Sequence, residues 1–215
     1  MKTEIYPHQY FALKKQVDDL INVYQSVSDL KTVATMQSLI FERIDQIFPE
    51  KFAEIEALKE FILDKTLSKA KAQAYLEDLK TIVIPFETPS NKQVEKVFRK
   101  VKKLHVPILD KLDLKEHTYI GWNDLGSQRK YLMLYQDQRL TGIYGSFSPN
   151  ILQNVCTICN HVSNVAMFLA TTKSGGDGTY TKKGNYICVD SDQCNRQLFE
   201  LAPLHEFVVK MQESK

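Results

Sequence analysis

Four cysteines, Cys156, Cys159, Cys188 and Cys194, are the residues whose type and spacing can do chemistry here, and the 215-residue chain holds no others. Two residues separate Cys156 from Cys159, 28 residues follow, and five separate Cys188 from Cys194. A C-x2-C spacing folds into a tight knuckle that points two thiolates at one place. A second pair returned beside it completes the tetrahedral thiolate set preferred by zinc. Four protein ligands close the shell, so the expected Zn2+ is structural, one per chain. A catalytic zinc keeps a position open for water or substrate. Other readings of the same residues are four buried free thiols, an iron–sulfur cluster whose spacing matches neither common ferredoxin pattern, and a site in which His161 competes with a thiol.

No second chemistry stands out. The histidines His8, His105, His117, His161 and His205 are scattered, and none stands four residues from another. There is no Gly-rich phosphate loop, no G-x-S-x-G and no H-E-x-x-H. The expectation is a non-enzymatic protein without a small-molecule substrate. No run of about 18 apolar residues exists, and MKTEIYPHQY lacks the apolar core of a signal peptide. A cytoplasmic, membrane-free monomer is expected, and in a reducing compartment cysteines seldom form disulfides.

The net charge of +2 does not by itself argue for nucleic acid, but its distribution is uneven. Residues 1–86 hold 11 basic and 13 acidic side chains, whereas residues 87–106 hold six basic and two acidic. On a continuous helix, Lys92, Lys96, Arg99 and Lys103 would form one stripe. Such a stripe reads as a solvated face, with long stems covering apolar surface, or as a track for the phosphates of RNA.

Elements must position the cysteines. Apolar residues recur at three and four in Tyr10–Tyr24, Val33–Ile47, Phe52–Ile62 and Ala72–Val83, which predicts four helices. Ser90 and Gln93 have capping-box spacing, so a fifth helix is expected there, carrying Val94, Val97, Phe98 and Val101, with Pro107 as its outer bound. Beyond about residue 115 the texture is aromatic and β-branched. Thr118–Trp122, Lys130–Tyr135 and Leu140–Phe147 read as strands, the last two as a hairpin. Asn164–Thr172 and Thr179–Ile187 read as a second pair joined by Ser174–Gly178. Asp190 or Ser191 caps a short helix with Leu198 on its inner face. Pro203 opens a last helix with Leu204, Phe207, Val208 and Met211 on one side. Knuckle, hairpin and helix in that order make a treble-clef-like finger over 156–194. The expected fold is α+β: a helical bundle over 1–86, then a mixed α/β domain over 87–215 that contains the finger.

Several stretches resemble a known family. They are Ile5-Tyr-Pro-His-Gln-Tyr10, Val94-x-x-Val-Phe-x-Lys-Val-Lys-Lys103, Gly121-Trp-Asn with Arg129-Lys-Tyr131, Gly142-x-Tyr-Gly145, Cys156-Thr-Ile-Cys-Asn160, Thr179-Tyr-x-Lys-Lys-Gly-x-Tyr-Ile-Cys188 and Asp190-Ser-x-x-Cys-Asn-x-Gln-Leu198. In order and spacing the chain resembles the FusB-type fusidic acid resistance proteins, or elongation factor G-binding proteins. The resemblance implies a helical bundle and a four-cysteine zinc finger that binds elongation factor G. It also implies that the protein drives the drug-trapped factor off the ribosome without modifying the drug. Carried over by position, the partner contacts would be Val155, Lys183, Tyr186 and Phe207. Val155 departs from the family's usual phenylalanine, which implies a weaker or shifted contact there.

Overall fold

A computed structural model describes residues 4–173 and 180–212. The loop expected over Ser174–Gly178 lies outside the described residues. The chain divides into two compact units, Met1–Ile84 and Pro85–Lys215.

In the first unit the four apolar periodicities fold as helices α1 (Pro7–Ser26), α2 (Leu30–Ile47), α3 (Ala53–Phe61) and α4 (Lys69–Leu79). Each start has a local cause. Pro7 opens α1, where its missing N–H is not needed. The Asp29 carboxylate accepts from Thr32 N at 2.8 Å at the start of α2, and Ser68 Oγ accepts from Lys71 N at 3.3 Å at that of α4. The stripes Leu13, Val17, Leu20, Ile21 and Ile40, Ile44 are buried, as are Ile55, Leu58 and Leu76. Ile5 and Val83 form a parallel bridge that ties the two ends of the unit together.

The second unit is built on one antiparallel sheet in sequential order: β1 (Ile120–Asp124), β2 (Arg129–Gln136), β3 (Arg139–Val155), β4 (Val162–Lys173) and β5 (Tyr180–Cys188). Both faces near β2 are covered, which explains its unbroken apolar run. Leu132 and Leu134 join a core with Phe168, Leu204, Phe207 and the four cysteines. Tyr131 and Met133 join the opposite core with Phe86, Val94, Phe98 and Ile120. The second core is roofed by α5 (Asn91–Val97), and the first by α6 (Ser191–Arg196) and α7 (Ala202–Gln212).

Two glycines, one for each face, let helices approach the sheet. A Cβ on Gly121 would lie 2.9 Å from Ser191 Cβ of α6, and one on Gly142 would lie 2.3 Å from Val97 Cγ1 of α5. The fifth helix starts as expected, with Ser90 and Gln93 in a reciprocal capping box. It stops at Val97, well short of Pro107. Strand β3 in turn runs through Pro149, past the expected end at Phe147. The register slips between Phe147 and Ile151, and that irregularity admits a proline that a regular central strand excludes.

Candidate metal centre

The knuckle sits at the tip of the β3–β4 hairpin. Val155 pairs with Val162, and residues 156–161 make the turn. Cys156 N donates to His161 O at 3.0 Å and Asn160 N to Cys156 O at 2.9 Å. Asn160 takes the left-handed conformation that closes the turn, with φ 57°, which asparagine tolerates better than most residues. Thr157 fastens the knuckle to β5: its N and Oγ1 both donate to Tyr186 O, at 3.0 and 3.1 Å. Strand β5 ends in Cys188. The chain then turns through Asp190, whose carboxylate accepts from Asp192 N and Gln193 N at 2.8 and 3.0 Å and so caps α6. That cap places Cys194 facing the knuckle.

The four Sγ atoms all lie within 4.8 Å of one another, and all four residues are buried. Cys156 Sγ stands 3.8 Å from Cys194 Sγ, and Cys159 Sγ 3.8 Å from Cys188 Sγ. A zinc–sulfur bond of about 2.3 Å in a tetrahedron puts sulfurs about 3.8 Å apart, so these two separations match a bound ion and the other sulfurs lie close enough to join them. A disulfide would require about 2 Å. Ile158 N and Cys188 N donate to Cys156 Sγ at 3.4 and 3.3 Å, an arrangement that favours the thiolate. Hydrogen bonds from Cys159, Cys188 and Cys194 hold Cys156 well below the usual thiol range. The same contacts, with burial, hold Cys194 well above it. The hydrogen bonds among the four thiols also lower Cys188 and raise Cys159, so the cluster divides into two thiols that ionise readily and two that do not. His161 Nδ1 is engaged with Cys159 O at 2.6 Å, and its ring packs against Phe199.

Asn195, directly after Cys194, locks α6 to the sheet. Its Oδ1 accepts from Thr118 N at 2.8 Å and Tyr119 N at 3.2 Å, and its Nδ2 donates to Tyr119 O at 3.0 Å and Ser191 O at 2.9 Å. Sequence reasoning gave Asn195 no role beyond its place in the Asp190–Leu198 stretch. Its adjacency to a ligand was the available signal, but its partners on the sheet side lie some 76 positions away along the chain.

The remaining site expectations fare differently. Val155 is 50% exposed at the foot of the knuckle. Tyr186 is half-buried against the core, and Lys183 is partly exposed. By strand alternation these two side chains start from opposite faces of β5. Phe207 is 2% exposed and packs on Phe168 with ring centroids 5.7 Å apart. It packs in the core of the sheet unit, so its side chain offers little surface to a partner. The single basic stripe is corrected. Lys92 and Lys96 lie on α5, but Arg99 and Lys103 lie beyond its end, with Lys103 at φ 57°. All four are exposed.

A helical unit followed by a sheet unit with a four-thiol knuckle, hairpin and helix defines a class. Residues 4–87 match the family model "Elongation factor G-binding protein, N-terminal", and residues 93–214 match "FBP C-terminal treble-clef zinc-finger". The chain belongs to this family of elongation factor G-binding proteins. A solved structure described as "Structure of the fusidic acid resistance protein FusC" is similar at 41% identity and TM-score 0.89, covering 98% of each chain. No curated protein sequence gives a significant match. Among the described residues no helix is long and apolar enough to cross a membrane.

Proposed function

We propose that this protein binds elongation factor G through its zinc-finger unit, promotes release of the factor from the ribosome, and so rescues translation stalled by fusidic acid. The observation that carries this reading is the similarity to a fusidic acid resistance protein over 98% of the chain, on top of both family matches. The four cysteines hold one structural Zn2+ per chain, which fixes the knuckle and β5 as a rigid platform. Val155, Lys183 and Tyr186 stand on that platform as partner contacts, and Phe207 supports it from below. The protein works in the cytoplasm as a monomer and catalyses no reaction.

The mechanism is linkage. A partner releases a factor from the ribosome only by binding more tightly to a state of the factor that holds the ribosome less well. The reciprocal test uses purified components. The protein should pull down elongation factor G in the presence of nuclease, and should restore fusidic acid-inhibited translation in a reconstituted system. Failure of the pull-down with the factor from the same organism would overturn the reading. Binding without rescue would leave the partner and remove the release step.

A second reading has one observation in its favour. Six basic side chains between residues 92 and 103 are exposed. If they contact rRNA, ribosome association should weaken steeply with salt, and reversing Lys92 and Lys96 to glutamate should flatten the slope. An unchanged slope would leave them as a solvated surface.

A further inference from the structure

Two polar side chains are buried on the side of the cysteine-containing core. Lys130 is 1% exposed. Strand alternation puts it on the face of Leu132 and Leu134, the face of the cysteine-containing core. Its Nζ donates to Asn123 Oδ1 and to Val189 O, each at 3.0 Å, and Val189 directly follows Cys188. An ammonium has three donors, and these bonds use two. The Phe147 ring lies 5.1 Å away. Among the described residues no carboxylate stands within ion-pair distance of it. Burial pushes its pKa down to about 8, and the negative charge that opposes this comes from Cys194 and Cys188, ahead of Asp190 and Cys156.

Tyr119 is fully buried, and its hydroxyl has no hydrogen-bond partner among the described residues. Burial, and next the charge at Cys194, holds its phenol well above the usual value. Buried hydroxyls normally find an acceptor. Cys194 is the candidate: Tyr119 is packed in the same buried core as the four cysteines, and after burial it is Cys194 that acts on its phenol most.

The charge count explains the pair. Four thiolates around a divalent cation leave two net negative charges in a dry site. Backbone N–H groups already donate to Cys156. We infer that Lys130 and Tyr119 are the outer shell of the metal centre, Lys130 as its buried countercharge and Tyr119 as an O–H donor to Cys194 Sγ. Both are positioning residues that act through the thiolates. The inference rests on the zinc reading of the four cysteines.

The test uses full-length protein and the variants Lys130→Met, Lys130→Arg and Tyr119→Phe. Zinc affinity is measured by competition with a chromophoric chelator. The cobalt-substituted proteins give the energy of the sulfur-to-metal charge-transfer band. Loss of an outer-shell partner should weaken zinc binding about 10- to 100-fold in Lys130→Met and toward the lower end in Tyr119→Phe. Both should shift the band to lower energy, because the thiolates lose stabilising donors. Lys130→Arg should keep most of the affinity. A role in packing alone makes a different forecast. Methionine fills similar volume without a buried charge, so it would hold or raise thermal stability and leave affinity and band unchanged. That result, or arginine behaving like methionine, would overturn the countercharge. An unchanged band in Tyr119→Phe would overturn the hydroxyl donor, and loss of affinity in Lys130→Arg would overturn the countercharge even if Lys130→Met does not fold. Wild-type protein that binds no zinc would refute the metal reading itself, an outcome distinct from these.

Discussion

Tyr186 joins the metal centre and the proposed partner surface in a single residue. Its carbonyl accepts both bonds from Thr157 and so belongs to the knuckle's support. Its side chain is partly buried and packs against the core. An aromatic held this way loses little entropy on binding, which is the condition for a hot spot. Tyr186→Ala should cost about 2 kcal/mol in calorimetric titration against elongation factor G, in the range of an aromatic anchor. The backbone bonds survive the substitution, so metal content should not change. Lys183→Ala should act mainly on the association rate, as a rim charge does. Normal binding by both variants would move the interface elsewhere while leaving the function intact. At this scale the sequence showed the ligands because thiol spacing is a local property. It did not show that Phe207 is core, because an aromatic on an amphipathic helix looks the same whether its face meets the sheet or a partner.

The elements that hold these residues depend on close approaches that only glycine permits. Gly121 faces α6 on the metal side, and Gly142 faces α5 on the other. A methyl group at either position must displace a helix, and overpacking of this kind costs about 1–3 kcal/mol. The consequences should differ. Gly121→Ala displaces the helix that carries Cys194, so it should lower both the denaturation midpoint and zinc retention against a chelator. Gly142→Ala should lower the midpoint while sparing the metal, and it should perturb Trp122 fluorescence through Phe98, whose ring lies 5.6 Å from the indole. Equal metal loss in the two variants would mean that the faces are not separable. Helices and hairpins were legible because their periodicities and caps are short-range. The early stop of α5 was not, since its basic residues continue a helical spacing beyond Val97 while the backbone turns away. Nor was the length of β3, because Pro149 reads as a strand end until a register slip accommodates it.

For the whole molecule the question is what metal removal unfolds. The structure shows that the finger is not a satellite. Its cysteines, Ile158 and Leu198 share one core with Leu132 and Leu134 of the sheet and with Leu204, Phe207, Val208 and Met211 of α7. Without the cation, four buried thiols face one another at the centre of that core, and the knuckle, β5 and α6 lose their common anchor. Metal binding is therefore coupled to the folding of the sheet unit. The first unit, Met1–Ile84, has a helical core of its own, and among the described residues it supplies no member of the metal cluster. Chelation, or Cys188→Ser, should therefore remove the β contribution to circular dichroism and the slow hydrogen exchange of β2, β4 and α7. Helical signal and exchange protection in α1 and α2 should persist. Binding of elongation factor G should fall with the metal and return on adding zinc to the chelated wild type, but not to the Cys188→Ser variant. Hydrogen exchange resolved by segment is the deciding measurement. A metal-free protein whose β4 and α7 amides remain protected would show that packing alone holds the sheet unit, and the zinc would then serve the knuckle's geometry only.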